Sequence, residues 1–205
     1  MAYEFHVFLS YRRHGEWTQW VKEKFLPLFL HWLGEELGEN AQVFFDQRIL
    51  EAGKLWPQES AYALARSRVL VPLLSRQYFN SEWCKTELAH MCARETISGM
   101  RKAQPPKSLI VPAVLHDGND FPKHVSAIMP TYLQDCANVR TAKDSPTEEE
   151  LSKRIRDSLV PSVVCAIHRA PGYDPYWENL AVSEFLRVFN VSPPKQKMLP
   201  SLGLQ

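Results

Sequence analysis

The segment from Val69 to Leu74 carries Val69, Leu70, Val71, Leu73 and Leu74 in a nearly unbroken apolar run that ends at Ser75. A strand wetted on one face alternates apolar and polar residues, whereas a run of this kind belongs to a strand covered on both faces. Such coverage requires helices on either side of a sheet, which confines the chain to an α/β architecture. The residues that follow form a helix with two stripes. Cys84, Leu88, Met91 and Cys92 recur at helical spacing as a core face, while Trp83, Glu87 and His90 share an adjacent face. An aromatic one turn ahead of a carboxylate, at the mouth of a sheet, suits a flat cationic ligand.

Other segments repeat the strand and helix pattern. Glu4 to Ser10 reads as a first strand that runs into Tyr11, Arg12 and Arg13. Trp17, Trp20, Val21, Phe25, Leu28, Phe29, Trp32 and Leu33 keep a three-four rhythm, which predicts a helix from Glu16 to about Leu37, kinked at Pro27 and ended by Gly38. Gln42 to Asp46 is a second strand, with Asp46 read as a structural turn former. The segment Gln47 to Trp56 has no period and is longer than the connections usual in this class, which invites a functional role. A short helix opened by Pro57 leads into the Val69 strand.

Further on, Leu109 to Leu115 is a fourth strand, turned by Asp117 to Asn119, and a short helix near Pro122 to Ile128 precedes a weak fifth strand around Tyr132 to Cys136. Thr147 with Glu150 forms a capping box for a helix toward Ile167, kinked at Pro161. Five strands alternating with helices predict a flavodoxin-like, doubly wound, five-stranded parallel sheet of order 2-1-3-4-5 with helices on both faces. A final amphipathic helix carries Trp177, Leu180, Ala181, Phe185, Val188 and Phe189, and the Pro-rich tail after Asn190 reads as a linker or partner-binding segment. The expected division is a domain over residues 1–170, a helical extension over 171–190 and a tail over 191–205.

Composition narrows the function classes. A net charge of +1 across 205 residues offers no field for gripping nucleic acid or an anionic membrane, and no stretch approaches the apolar length of a membrane span. A cytoplasmic protein is expected. Four cysteines, at 84, 92, 136 and 165, lack ligand-like spacing with the seven histidines, so they read as buried thiols, with neither a disulfide framework nor a metal site.

In a sheet of this order, ligands bind beyond the C-terminal ends of strands 1 and 3, where the connections diverge. The loops starting at Ser10 and Ser75 therefore bring Tyr11, Arg12 and Arg13 toward Trp83 and Glu87. Guanidiniums for phosphates, an aromatic for a base and a carboxylate for a sugar together suit a dinucleotide.

The pieces FHVFLSYRR, VFFDQRILEAGK, RVLVPLLS, WCKTEL and LIVPAVLHDG, in this order over about residues 3 to 168, resemble the consecutive boxes of a TIR (Toll/interleukin-1 receptor) domain. SYRR, LEAGK and the Trp83-x-x-x-Glu87 spacing are most similar to its enzymatic, NAD-cleaving branch of the bacterial immune type. That resemblance implies Glu87 as the catalytic residue, and Ser10, Tyr11, Arg12, Arg13, Trp83 and Lys54 as substrate-contacting positions. It also implies that NAD+ is a substrate with no separate cofactor. Gln47 to Trp56 matches the BB loop, through which such domains associate into homo-oligomers or filaments.

Without the resemblance, Glu87 reads as a partly exposed helix carboxylate, Trp83 as core filler, and Arg12 and Arg13 as solvated loop charges. His90 carries no family implication and reads as a surface histidine. Two functions follow from the resemblance: an NAD+ hydrolase or cyclase that generates an immune signal, or a non-catalytic adaptor that acts by self-association through its BB loop. A phosphoacceptor receiver domain would need acidic residues where this chain has Tyr11, Arg12, Arg13 and Ser75.

Overall fold

The computed structural model describes residues 2–13, 15–45, 56–105, 107–116, 121, 125 and 127–188. Asp46, Lys54, nearly all of the expected BB loop, the Asp117 to Asn119 turn, most of the short helix near Pro122 and the tail lie outside the described residues. The chain runs β1 (Phe5–Tyr11), α1 (Glu16–Trp20), a π-helical turn (Val21–Phe25), α2 (Leu26–Leu37), β2 (Val43–Phe44), α3 (Trp56–Ala65) and β3 (Ser67–Leu74). It continues through α4 (Arg76–Phe79), α5 (Glu82–Ile97), β4 (Ala113–Val114), β5 (Thr131–Tyr132), α6 (Pro146–Arg154), a second π-helical turn (Ile155–Leu159), α7 (Val160–Arg169) and α8 (Tyr176–Val188).

The sheet has the expected order β2-β1-β3-β4-β5, and every pairing is parallel. β1 and β3 form its centre, with Ser10 opposite Pro72 and Tyr11 opposite Leu73. The outer strands are shorter than their apolar runs. In β4 the cause is Pro72 of the neighbouring β3: Leu70 N bonds Leu109 O at 2.8 Å, and Val111 N bonds Leu70 O and Leu115 N bonds Leu74 O, both at 2.9 Å, while Pro72, midway along the same edge, has no N–H to donate. The fifth strand lies at Thr131–Tyr132, ahead of the expected Tyr132 to Cys136, because Leu133 opens a turn closed by a 3.0 Å bond from Cys136 N.

Side chains along a strand alternate between faces, so the two central strands feed two cores. Val7, Leu9, Tyr11, Val69, Val71 and Leu73 join the core beneath α1, α2, α6 and α7. Phe8, Leu70 and Leu74 join the other, beneath α3, α5 and α8. Ser10 lies two residues past Phe8 and therefore faces α5.

Both expected proline kinks take the form of π-helical turns. Leu26 N–H bonds Val21 O just before Pro27, and Val160 N–H bonds Ile155 O just before Pro161. Widening the turn accommodates a ring that would otherwise strike the carbonyl of the preceding turn. Gly38 ends α2 at φ 69°, a left-handed conformation that costs glycine little. The capping box of α6 sits two residues earlier than expected: Ser145, not Thr147, accepts from Glu148 N at 3.3 Å, and Glu148 reaches back to Asp144 N at 2.6 Å. Pro146 explains this placement, since its missing N–H is harmless only in the first turn. Glu150 instead pairs with Arg154 at 2.7 Å.

The final helix is part of the packing rather than a loose addition. Trp177, Ala181 and Phe185 are buried in the core that α3 and α5 share. Among the described residues no helix is long and apolar enough to cross a membrane.

Candidate active site at the sheet switch point

A cavity of about 230 Å³ opens beyond β1, lined by Ser10, Tyr11, Arg12, Arg13, Trp83 and Glu87 together with Phe8, Leu9, Ser81 and Cys84. The six sequence-expected site residues other than Lys54 come from two places in the chain: the end of β1 with the two residues after it, and the first two turns of α5. Thus all of the described candidates meet at one cavity. Lys54 lies outside the described residues.

α5 is positioned by Ser81, whose hydroxyl caps the helix by accepting from Cys84 N at 3.4 Å. That fixes Trp83 and Glu87 one turn apart above Ser10. Glu87 is 4% exposed, contrary to the partly exposed position expected from the sequence. Ser10 Oγ is hydrogen-bonded to Glu87 Oε2, and it lies 2.8 Å from the Tyr78 hydroxyl. The Tyr78 hydroxyl in turn donates to the Cys84 carbonyl at 3.2 Å.

Burial pushes the Glu87 carboxyl up from its ordinary 4.5 to about 7, and the bonds from Ser10 and Trp83 and the charge of Arg13 oppose that rise. Burial likewise drives the Tyr78 phenol upward and the Cys84 thiol to about 12, with the Glu87 charge adding to both, so neither ionises near neutral pH. Glu87 is therefore the group in this cluster whose charge is poised at neutrality.

Trp83 is half-buried, with its ring edge-on to Phe185 of α8 at 4.9 Å between centroids, and it still faces the cavity. Arg12 is exposed and Arg13 half-buried at the same mouth. Tyr11 contributes to the cavity wall, but it is 7% exposed and its ring stacks on Phe45 at 5.4 Å, within the core on the other side of the sheet.

His90 is not on the surface. It is fully buried, 3.6 Å from Glu184 of α8, and burial lowers its pKa. α8 packs against α5 at three places along this face: Trp177 lies over Arg94, Glu184 faces His90 and Phe185 meets Trp83. Two of the four thiols also depart from expectation, with Cys165 exposed and Cys92 partly so. Tyr78 was missed as a site residue. Its signal was slight, a tyrosine three residues after the Ser75 cap, whose side chain accepts from Tyr78 N at 3.2 Å. Among the described residues no group of three or more His, Cys, Asp or Glu side chains could hold a metal ion.

Residues 7–151 match the family model described as TIR domain. No curated protein matches the chain by sequence. A solved structure of TIR domains, from the activated Roq1 resistosome directly recognizing the pathogen effector XopQ, is 17% identical, with 91% of this chain and 99% of that chain covered at a TM-score of 0.36.

Proposed function

The chain belongs to the TIR domain family, and from that premise we propose that it is an NAD+ nucleosidase. It cleaves the bond between nicotinamide and ribose, giving nicotinamide and either ADP-ribose or a cyclic isomer of it. The observation that carries this reading is a single buried carboxyl, Glu87, in a cavity whose mouth holds Arg12 and Arg13.

Ordinary glycosidases use two carboxyl groups because the leaving oxygen needs a proton while the anomeric carbon is stabilised or attacked. Nicotinamide is already a cationic pyridinium in NAD+ and departs neutral with the bonding electron pair, so one carboxylate suffices. Ionised Glu87 offsets the charge of the oxocarbenium ion and accepts hydrogen bonds from the ribose hydroxyls. Water completes the hydrolysis, or a ring atom of the ligand's own adenine closes the cyclic product.

The cavity volume fits this assignment. About 230 Å³ is below the roughly 300–1,000 Å³ of sites that enclose a whole drug-sized ligand. It accommodates the nicotinamide end, with Trp83 as a wall, and leaves the diphosphate at Arg12 and Arg13. Incubating the protein with NAD+ and separating nicotinamide, ADP-ribose and cyclic isomers tests the assignment, with Glu87→Gln as the control. Full nicotinamide release by a folded Glu87→Gln protein would remove Glu87 from the chemistry.

In this proposal the enzyme acts in the cytoplasm as an effector or signal generator of immune defence, and it works as an assembly formed through Gln47 to Trp56. That segment mixes Ile49, Leu50 and Leu55 with Arg48, Glu51 and Lys54, a composition suited to a reversible contact. Specific activity that rises with protein concentration supports the assembly. Activity that stays flat across a dilution series, with a monomer throughout, argues against it.

A further inference from the structure

Glu87, Ser10, Tyr78 and the Cys84 carbonyl form a line of three contacts. Tyr78 Oη is 3.2 Å from Cys84 O and 2.8 Å from Ser10 Oγ, and Ser10 Oγ contacts Glu87 Oε2. Each hydroxyl carries one proton, and a carbonyl or carboxylate carries none. With Glu87 ionised, two protons serve three contacts. With Glu87 protonated, three protons serve three: Glu87 donates to Ser10, Ser10 to Tyr78, and Tyr78 to Cys84 O.

We propose that Tyr78 is a positioning residue, which together with Ser10 forms a reversible proton-ordering relay that favours protonated Glu87 in the empty cavity and releases the carboxylate when a cationic ligand enters. On ligand entry the Glu87 proton leaves to water through the cavity mouth. The Ser10 O–H then turns from Tyr78 Oη to Glu87 Oε2, and the Tyr78 O–H turns from the Cys84 carbonyl toward Ser10 Oγ. No covalent bond other than that O–H changes, and the chain of donors reverses as a unit. The consequence for rate rests on the reading of Glu87 as the catalytic carboxylate; the relay itself is a property of the protein without ligand.

Burial supports this arrangement. Ser10 is 1% exposed and Tyr78 fully enclosed, so water does not stand in for a missing partner at either hydroxyl. The groups that face Glu87 are Ser10 from β1, Tyr78 from α4, Trp83 and Cys84 from its own helix, and the charges of Arg12 and Arg13 beyond β1. Near neutral pH the neutral phenol and thiol leave Glu87 as the titrating member.

Two single-oxygen deletions act in opposite directions. In Tyr78→Phe the protonated state loses two bonds and the ionised state one, so the Glu87 midpoint falls. In Ser10→Ala the ionised state loses its charge-assisted donor, so the midpoint rises. Each displacement is about one pH unit. A variant that merely loosened the site would hydrate Glu87 and lower the midpoint in both cases.

The test is a carboxyl carbon NMR titration of ligand-free protein labelled with 13C-glutamate, in which the Glu87 signal is the one missing from Glu87→Gln. Opposite displacements in Tyr78→Phe and Ser10→Ala support the relay, and they do so even where the wild-type protein leaves NAD+ intact, an outcome that would remove the enzymatic reading alone. Displacements of the same sign, or a Tyr78→Phe midpoint equal to that of the wild type, overturn the relay whatever the activity. Where NAD+ is cleaved, the acid limb of kcat follows the same two displacements.

Discussion

Glu87 and Glu95 stand two turns apart on α5, both buried, at 4% and 0% exposure. Their surroundings could hardly differ more. Glu95 takes Ser108 Oγ–H and Leu109 N–H on one oxygen, each at 2.6 Å, and Arg101 Nε–H on the other at 2.5 Å. A cation, a backbone amide and a hydroxyl together replace the water it lost. Glu87 relies on the hydroxyl of Ser10 and the indole of Trp83, with Arg13 acting through its charge, and burial prevails. Glu95 fastens α5 to the segment that leads into β4. Glu87 is left incompletely compensated beside a cavity, which is the condition a reactive carboxyl needs. A buried charge thus shows its role by how its lone pairs are satisfied and by what space it faces, rather than by burial itself.

The largest effect that would break this comparison is on catalysis. Glu87→Gln is expected to lower nicotinamide release from NAD+ by about a thousandfold or more, while Glu95→Gln leaves the rate per folded molecule unchanged. Product chromatography on proteins of matched folded fraction reads both. Equal losses in the two variants would erase the distinction.

Stability should sort the pair the other way. Glu95→Ala leaves Arg101 and the Leu109 N–H without their partner, at a cost of about 3 kcal/mol in urea unfolding. A loss well under 1 kcal/mol would show the Glu95 network to be surface-like in strength.

A third expectation concerns pH. The folded state raises Glu87 from 4.5 to about 7, so it binds the proton more tightly than the unfolded chain does. Its contribution to stability is fully present below about 4.5 and is lost as pH rises through about 7. Glu87→Gln is therefore expected to be more stable than the wild type at pH 8 by about 2 kcal/mol, with the difference vanishing near pH 4. Thermal melts at the two pH values decide, and a variant destabilised equally at both would show that Glu87 is compensated like Glu95.

The smallest expected effect belongs to Trp83. Its ring is half-buried against Phe185, so Trp83→Ala should reduce turnover about tenfold while costing less stability than Glu95→Ala. Substrate titrations read alongside urea curves separate the two. A stability loss larger than that of Glu95→Ala with normal turnover would make Trp83 part of the α8 packing rather than a wall of the site.

Residue pattern alone determined the parallel sheet, its order, and the meeting of the β1 end with the first turns of α5. Those follow from local periodicity and from the chirality of strand and helix connections, which act within short stretches and leave visible marks such as the Val69 to Leu74 run. Tertiary structure decided which face of α5 was covered. The periodicity of α5 left Trp83, Glu87 and His90 on one open face, and α8, some ninety residues further on, packs Phe185 against Trp83 and Glu184 against His90 while Glu87 keeps its place at the cavity. It likewise decided that Ser10 and Tyr78 hold Glu87, because their hydroxyls meet only through the pleat of β1 and the placement of α4. A hydrogen bond needs atoms within about 3 Å, and distances on that scale between residues remote in sequence are set by packing, which no local pattern records.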